Sequence, residues 1–321
     1  MLDRFPDTGK VLVLDGGLAT ELEARGADLR HPLWSTRALL EQPDLVTAVH
    51  EAFLDAGADV LTTATYQTTF QGMADLGLPV ARAERLLLEG VALARRAWGR
   101  RVERLEAAAE RARSEGVTVV EAPAAPLVAA SMGSYGAYRH DGGEYVGRYG
   151  RTDRELRAFH RDRVAVLASS DADLLAIETI PSRQEAEVLV DLLEEQGRAS
   201  AWISFSGGDE RAIADGTPFA ECVAALQASA RVLAIGINCT GPELTARLLE
   251  SAALEAGKPF VAYPNTGERF DARSSTWSGE ANADWAASHF GRYRAAGARV
   301  VGGCCRTTPG TIRELRRLAD A

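Results

Sequence analysis

The sequence is short of three things, and each shortage excludes a class of protein. Four cysteines in 321 residues are too few for a disulfide framework. No run approaches the roughly 18 apolar residues that a membrane-spanning helix needs. With 36 lysines and arginines against 45 aspartates and glutamates, the net charge of -9 does not suit a protein that follows nucleic-acid phosphates. We therefore expect neither a membrane nor a nucleic-acid partner.

The amino terminus also lacks the order of a secretion signal, in which a charged segment precedes an apolar one. Residues 1–10 are polar and lead directly into the apolar residues 11–14. We therefore expect a cytoplasmic protein. In that reducing compartment clustered cysteines ligate metals or take part in chemistry more often than they form disulfides.

Short apolar runs alternate with longer amphipathic stretches along the chain. Near-continuous apolar runs are typical of strands buried on both faces, and the stretches between them have helical spacing. The eight predicted strands cover residues 11–14, 59–63, 127–131, 173–178, 201–205, 232–237, 260–263 and 299–302. The clearest helical patterns cover residues 43–56, 84–110, 153–168, 184–196, 242–256 and 311–318. Eight such units predict an α/β fold, a (β/α)8 TIM barrel that forms a single domain over residues 1–321.

The alternative fold is a doubly wound open sheet. The first predicted strand is followed by Asp-Gly-Gly-Leu-Ala-Thr at residues 15–20, which lacks the third glycine of a dinucleotide-binding fingerprint. The barrel is therefore the favoured interpretation.

Two segments depart from simple alternation. Residues 81–116 have a long helical pattern rich in alanine, arginine and glutamate, which predicts a solvated outer helix or a pair of helices. Residues 133–150 are too long and too rich in glycine for a plain connection, and they include four tyrosines. Such a segment is either a disordered excursion or a lid, and the tyrosines favour a lid because they supply contact area.

Three of the four cysteines follow predicted strands directly. Cys239 follows the sixth strand, and Cys304 and Cys305 follow the eighth. In a parallel barrel all carboxyl ends of the strands meet at one mouth, where active sites lie, so the three thiols are expected to converge. Zinc suits three thiolates, and a fourth tetrahedral position then stays open for catalysis. Cys222 lies inside a helical pattern and is interpreted as a small buried apolar residue.

Two other interpretations of these cysteines stay open. A vicinal disulfide between Cys304 and Cys305 would be strained and would leave Cys239 unexplained. A non-enzymatic zinc-binding or thiol-redox protein would be expected to close its site with four protein ligands, and Asn238 or Tyr263 could supply the fourth at rest.

These motifs resemble the homocysteine S-methyltransferase family over nearly the whole chain. The resemblance rests on Asp-Gly-Gly at residues 15–17, Gly-Ile-Asn-Cys at residues 236–239 and Gly-Gly-Cys-Cys at residues 302–305. Residues 133–145 and 263–268 further resemble the branch of short, single-domain enzymes that use S-methylmethionine, and often S-adenosylmethionine, as the methyl donor. The resemblance implies a barrel enzyme whose three strand-end cysteines hold a catalytic zinc ion.

The resemblance also implies which residues bind homocysteine. Asp15 and Glu178 would meet its ammonium group, and the backbone around Gly16 and Gly17 would approach its carboxylate. Both acidic residues stand at predicted strand ends, although either could instead cap the following helix. The two glycines could merely form a tight turn, but their lack of side chains also lets a ligand approach the backbone N–H groups.

Further candidates come from the same strand ends. Thr63, Tyr66 and Gln67 lie at or just after the second strand, and Asn238 adjoins a predicted zinc ligand; each could instead only orient a loop. Aromatic rings hold cations by cation–π attraction, which makes a second set of candidates for holding a cationic donor. That set is Tyr66, Tyr135, Tyr138 and Trp277.

The implied reaction is methyl transfer to a thiol. Coordination to zinc removes the thiol proton, and a sulfonium donor brings the positive charge that the resulting thiolate attracts. Betaine, methylfolate and methylcobalamin are the alternative donors. We expect a small free donor, because the last helical pattern ends close to residue 321 and no cobalamin-type histidine motif is present.

Overall fold

The computed structural model describes residue 5 and residues 10–29, 34–115, 123–271, 276–282 and 284–321. Residue 116, the predicted end of the long helical pattern, lies outside this part of the chain. In the described residues, no helix is both long enough and apolar enough to cross a membrane.

Eight parallel strands form the centre of the molecule. They are β1 (Leu12–Val13), β2 (Val60–Thr62), β3 (Leu127–Met132), β4 (Leu174–Ile180), β5 (Ala201–Phe205), β6 (Val232–Asn238), β7 (Phe260–Tyr263) and β10 (Ala298–Val301). Their order in the sheet is β1-β10-β7-β6-β5-β4-β3-β2. A parallel bridge between Leu14 and Val60 joins the two ends of the sheet, so β1 and β2 meet and the barrel closes. The predicted (β/α)8 barrel is confirmed.

Helices fill the connections between the strands. They are α1 (Leu18–Ala24), α2 (Ser35–Glu41), α3 (Pro43–Asp55), α4 (Phe70–Asp75), α5 (Val80–Ser114), α6 (Tyr135–Arg139), α7 (Asp153–Ala168), α8 (Arg183–Gln196), α9 (Phe219–Leu226), α10 (Pro242–Ser251), α11 (Trp285–Ala296) and α12 (Pro309–Ala319). A two-stranded antiparallel hairpin, β8 (Arg269–Asp271) and β9 (Thr276–Ser278), is inserted after β7.

Local sequence signals explain where several helices begin. Proline occupies the first turn of α3, α10 and α12, where its missing N–H costs no helical hydrogen bond. Thr152 and Glu155 form a capping box at the start of α7, and Ser182 caps α8 through the Glu185 N–H. The long pattern before β3 folds as the single helix α5 rather than as a pair.

The strands bury apolar side chains on both of their faces. One cluster inside the barrel takes Ala129, Ala176, Trp202 and Ala234. Their strand neighbours, such as Val128, belong to a larger cluster between the barrel and the helices. This double burial explains the near-continuous apolar runs of the sequence. Polar side chains are left to the strand ends and loops, which is where the candidate site residues lie.

Candidate metal centre at the barrel mouth

The structure brings the three predicted cysteines together at the mouth, which is the end of the barrel where the strands have their carboxyl ends. Cys239 follows β6 directly, and its N–H donates to the Tyr263 carbonyl at 3.3 Å. Cys304 follows β10 in the Gly302–Arg306 segment, and its N–H donates to the Pro264 carbonyl at 2.8 Å. Both cysteines are therefore anchored to the end of β7, the strand that lies between β6 and β10.

The three sulfur atoms lie within 4.8 Å of one another. Cys239 and Cys304 are joined in a disulfide, and the Cys305 sulfur lies 3.9 Å from that of Cys239. The disulfide thus joins two strand ends 65 residues apart, not the adjacent pair of cysteines considered as a redox alternative from the sequence. Adjacent residues reach bridging geometry only with strain, whereas the barrel presents Cys239 and Cys304 face to face.

The donor set fits a thiophilic metal once the disulfide is reduced. Zinc–sulfur bonds of about 2.3 Å in a tetrahedron put the sulfur ligands about 3.8 Å apart, close to the spacing between Cys239 and Cys305. Burial, followed by the charge of Glu178, raises the pKa of the Cys305 thiol to about 12. A cation at this position would oppose both effects and favour the thiolate.

Gly17 is needed where the loop after β1 packs against the loop after β10. A Cβ atom at Gly17 would lie 2.7 Å from the Cys304 carbonyl oxygen, and the Gly17 N–H donates to the Thr307 hydroxyl at 3.0 Å. The Thr307 hydroxyl in turn donates to the Cys304 carbonyl at 2.6 Å. The Asp-Gly-Gly motif therefore fixes the position of the cysteine pair, whatever it does for a ligand.

Asp15, which follows β1, and Glu178, near the end of β4, are buried carboxyl groups at the mouth. Asp15 accepts hydrogen bonds from the Thr62 N–H at 2.8 Å and from the Thr62 hydroxyl at 2.9 Å. Burial raises its pKa well above the ordinary value, and the charge of Glu178 adds to this. Burial also raises the pKa of Glu178 to about 7, although the Ser131 and Tyr263 hydroxyls donate to it. Two such carboxyl groups favour a ligand with a positive charge.

A hydrogen-bonded chain links Asn238 with a residue that sequence reasoning missed, Thr179. The Thr179 N–H donates to Asn238 Oδ1 at 2.8 Å, and Asn238 Nδ2 donates to the Thr179 hydroxyl at 2.7 Å. The Thr179 hydroxyl also hydrogen-bonds the Tyr66 hydroxyl. Thr179 and Cys239 have positive φ angles of 56° and 47°, which are unusual for residues with a Cβ atom. The position of Thr179 directly after Glu178, at a strand end, was the available signal.

The remaining predicted residues on the β2 side serve loop contacts in this structure. Thr63 shares a 2.6 Å hydrogen bond with Thr65 and accepts one from the Ser131 N–H at 3.0 Å. The Gln67 side-chain amide donates to the Ala137 carbonyl at 2.9 Å. Contact of either side chain with a substrate stays a prediction.

The loop of residues 133–150, called the 133–150 loop below, folds as α6 and a short 3-10 helix, Gly143–Tyr145. The 3-10 helix lies against β4, the strand that carries Glu178, and the Ser206 hydroxyl donates to the Glu144 carbonyl at 2.6 Å. Burial, followed by the charges of Cys305 and Glu144, raises the pKa of the Tyr145 hydroxyl, so Tyr145 lies within electrostatic reach of Cys305. The sequence analysis did not single out Glu144, and it included Tyr145 only among the four tyrosines of the loop.

The aromatic candidates divide between the inner and outer sides of this loop. Tyr66 lies close enough to Cys305 and Glu178 for their charges to raise its pKa, after the larger effects of burial and of Glu144. Tyr135 and Tyr138 instead pack against Phe159 of α7, with ring centroids 5.1 and 5.3 Å away. Trp277 lies on the hairpin strand β9.

A buried polar group holds the start of the 133–150 loop. Glu185 of α8 accepts hydrogen bonds from the Tyr135 N–H and from the Tyr149 hydroxyl, and it pairs with His160 of α7 at 2.8 Å. Arg163, one turn after His160, donates to the Gly133 carbonyl. The loop is thereby fixed to two helices as well as to the mouth.

The chain matches the model of the protein family described as Homocysteine S-methyltransferase over residues 12–319. Homocysteine S-methyltransferase 4 of Zea mays is 45% identical over 97% of this chain and 90% of its own length. Homocysteine S-methyltransferase YbgG of Bacillus subtilis (strain 168) is 42% identical, with 96% and 94% covered. Selenocysteine Se-methyltransferase of Brassica oleracea var. italica is 40% identical, with 99% and 91% covered.

Solved structures give the same answer for the fold. The metallated form of the homocysteine methyltransferase MmuM from Escherichia coli is 40% identical, and it superimposes with a TM-score of 0.82 over 99% of both chains. The oxidized form of the same enzyme is 41% identical with a TM-score of 0.83, again over 99% of both chains.

Proposed function

The chain belongs to the homocysteine S-methyltransferase family, and on that premise we propose that it transfers a methyl group from a sulfonium compound to homocysteine to form methionine. S-Methylmethionine is the donor that we propose first, and S-adenosylmethionine second. The observation that carries the proposal is the cluster of three cysteine sulfurs within 4.8 Å at the mouth of a barrel. We propose that the protein binds these small molecules and not nucleic acid. We also propose that residues 1–321 form one domain.

We propose zinc as the metal and Cys239, Cys304 and Cys305 as its ligands, with the Cys239–Cys304 disulfide reduced. Three cysteinates suit a borderline-soft cation, and they leave one tetrahedral position for the substrate sulfur. When bound, zinc would lower the pKa of the substrate thiol and keep it as the nucleophilic thiolate.

The buried carboxyl groups give homocysteine its orientation in this proposal. Asp15 and Glu178 would accept its ammonium group, which would offset the desolvation that now raises the pKa of both residues. The Gly17 N–H is engaged with Thr307, so we assign the substrate carboxylate to the backbone at Gly16. Thr63, Tyr66, Gln67 and Asn238 stay proposed contacts around this amino-acid group.

Methyl transfer itself needs only the two sulfur atoms in line. The thiolate sulfur forms a bond to the methyl carbon while the bond from that carbon to the donor sulfur breaks. The electron pair of the broken bond returns to the donor, which leaves as a neutral thioether. Because the step neutralises an anion and a cation, a mouth from which water is excluded favours it.

The proposal is tested by assaying methionine formation with metal content measured on the same sample. Reduced, zinc-loaded protein would be offered S-methylmethionine, S-adenosylmethionine and betaine separately, with homocysteine and then selenocysteine as acceptor. We expect methionine from one sulfonium donor, lost on chelation. Turnover with betaine alone would contradict the sulfonium donor, and turnover that survives complete removal of metal would contradict the metal's role.

The matched variants are Cys239→Ala and Cys222→Ala. Cys222 is a free cysteine, buried in α9 away from the cluster. We expect Cys239→Ala to lose metal and activity together and Cys222→Ala to keep both. Full turnover by metal-free Cys239→Ala would overturn the assignment of the ligands.

A further inference from the structure

Glu144 is a carboxyl group at the mouth that the proposed reaction leaves unused. It lies in the 3-10 helix of the 133–150 loop, where Ser206 holds its carbonyl and Gly136 packs against its backbone nitrogen. One of its carboxylate oxygens, Oε2, is shielded from solvent and has no hydrogen-bond partner in the described part of the chain. A buried acceptor without a donor is costly, and in a native protein it marks a position held for something else.

The charge of Glu144 acts on groups at the mouth of the barrel. After burial, which has the largest effect, its charge helps to raise the pKa of the Tyr66 and Tyr145 hydroxyls, and Cys305 lies within reach of the same charge. Burial raises the pKa of Glu144 itself to about 7, against the opposing effect of a hydrogen bond from its own backbone N–H, and the negative charge of Asp141 raises it further. Glu144 therefore lies within electrostatic reach of Cys305 and of the two tyrosine hydroxyls.

Nearby arginines are engaged elsewhere. Arg148 of the same loop donates to the Asp215 carbonyl, and Arg139 pairs with Asp141 at 2.6 Å. Arg306, which follows the cysteine pair, is paired with Glu268 at 3.0 Å. None of these three supplies a positive charge to the shielded carboxylate oxygen of Glu144.

Substrate charges show what would meet this requirement. Homocysteine brings one ammonium group, and the proposed function assigns that group to Asp15 and Glu178. Three cysteinates with one divalent metal ion still have a formal charge of -1. A second positive group would balance Glu144, and the other substrate brings one in its sulfonium.

We propose that Glu144 is the anionic contact of the methyl donor, and that together with the rings of Tyr66 and Tyr145 it forms a pocket selective for a sulfonium cation. This inference rests on the proposed function, and it adds Glu144 as the residue that recognises the positive charge of the donor. The rings supply cation–π attraction and the carboxylate supplies the counter-charge. When the methyl group leaves, the donor becomes a neutral thioether, so the pocket loses its hold on the product.

The test compares Glu144→Gln with wild type and with Glu210→Gln. Glutamine keeps the shape of the side chain and removes its charge; Glu210 is an exposed carboxylate in the loop after β5, at the same end of the barrel. In the zinc-loaded enzyme we expect Glu144→Gln to raise the KM for S-methylmethionine about tenfold or more, as expected for loss of a charged contact. The KM for homocysteine and the metal content should stay within about twofold of wild type, and Glu210→Gln should match wild type throughout.

Equilibrium binding distinguishes recognition of the donor's positive charge from recognition of its shape. S-Methylmethionine would be titrated calorimetrically into the zinc-loaded protein without a thiol acceptor, and methionine, which has the neutral thioether, would be used to displace it. We expect Glu144→Gln to weaken S-methylmethionine and to leave methionine nearly unchanged. An equal loss for both ligands, or no loss for S-methylmethionine, would overturn the inference.

The binding result also separates this inference from the proposed function. If the wild type forms no methionine but binds S-methylmethionine in a Glu144-dependent way, the proposed function fails and the charge contact stands. If the wild type turns over and Glu144→Gln binds the donor as tightly as wild type, the inference fails alone.

Stability supplies a further readout that a purely structural role would not give. Because a shielded carboxylate oxygen without a hydrogen-bond donor destabilises the ligand-free fold, Glu144→Gln should unfold at the same or a higher temperature than wild type at pH 8. A clear drop in its unfolding temperature would indicate that Glu144 only supports the loop, and would overturn the proposal.

Discussion

At the scale of single residues, the mouth keeps conformations and protonation states that the chain would not adopt elsewhere. Thr179 and Cys239 both have positive φ, which costs a residue with a side chain on the order of 1–3 kcal/mol. Asn238, which lies beside Cys239, holds the Thr179 backbone through its side-chain oxygen. Strain of this kind persists where surrounding contacts determine the backbone geometry. Here the strained residues are Cys239, a proposed metal ligand, and Thr179, which follows Glu178.

His50 gives a residue-scale prediction away from the mouth. It is fully buried in α3, and neither ring nitrogen has a hydrogen-bond partner in the described residues. Burial lowers its pKa from 6.5 to about 4. The folded state therefore favours the neutral ring, so the contribution of His50 to stability is fully present above pH 6.5 and is lost as the pH falls to 4.

We expect His50→Phe to remove this pH dependence, because phenylalanine fills the space without a proton to bind. The wild type should lose on the order of 3 kcal/mol more stability than the variant between pH 7 and pH 4. Urea unfolding at a series of pH values measures the difference. Parallel stability curves for the two proteins would show that His50 does not titrate in this way.

At the scale of elements, only the first half of α5 packs against the barrel. Its buried residues end at Ala97, and beyond them it is attached to α3 through arginines such as Arg104, which pairs with Glu51 and Asp55. Exposed ion pairs of this kind contribute little individually. The first half, in contrast, packs directly behind the segment that leads to Tyr66.

Two glycines of α5 should respond in opposite ways to alanine. A Cβ atom at Gly90 would lie 2.4 Å from the Thr65 Cγ2 atom, whereas a Cβ atom at Gly99 would have no neighbour within 4 Å. Thr65 donates to the Ser131 carbonyl at 2.6 Å, so displacing it disturbs the β2 end of the mouth.

Gly90→Ala should destabilise the protein by about 1–3 kcal/mol through overpacking and should lower activity. Gly99→Ala should stabilise it by about 0.5–1 kcal/mol, because alanine has the higher helix propensity. Thermal unfolding and turnover of both variants check this pair. A Gly90→Ala variant as stable and active as Gly99→Ala would show that α5 can move away from Thr65 freely.

At the scale of the whole molecule, the contact between β1 and β2 closes the barrel. At the end opposite the mouth, a side chain just before β2 strengthens this contact. Asp59, just before β2, accepts the Val13 N–H at 2.8 Å and pairs with Arg316 of α12 at 2.8 Å. Asp173, just before β4, accepts the Val128 N–H of β3 at 2.7 Å in the same manner. Contacts at this end of a barrel contribute to stability rather than to catalysis.

Asp59→Ala should therefore cost about 1–3 kcal/mol of folding stability, because it leaves the Val13 N–H without its acceptor. The KM values for both substrates should stay at the wild-type level, since Asp59 is remote from the mouth. Asp171→Ala is the control, because the Asp171 side chain is 89% exposed and its loss should change stability by less than about 0.5 kcal/mol. Chemical denaturation of the two variants provides the measurement. Equal stabilities for the two variants would show that Asp59 does not stabilise the contact between β1 and β2.

The sequence by itself determined the barrel and the location of its cysteines. All eight predicted strands are confirmed, because burial on both faces leaves an apolar run that is visible locally. Cys239, Cys304 and Cys305 could be placed at one mouth because parallel strands share a direction. The helix α11, the short helices α1, α2, α4 and α6 and the hairpin β8–β9 were not predicted. The short elements are stabilised mainly by what they pack against.

Only the tertiary structure decided which groups meet. Local pattern does not tell that Cys239 pairs with Cys304 rather than Cys305 with Cys304, or that Thr179 joins Asn238 to Tyr66. Nor does it tell that the half-buried Glu144 lies within electrostatic reach of Cys305, because its neighbours come from distant parts of the chain. Periodicity reports whether a residue is buried, whereas the identity of its neighbours, and with it the chemistry of the mouth, depends on how loops from different strands pack together.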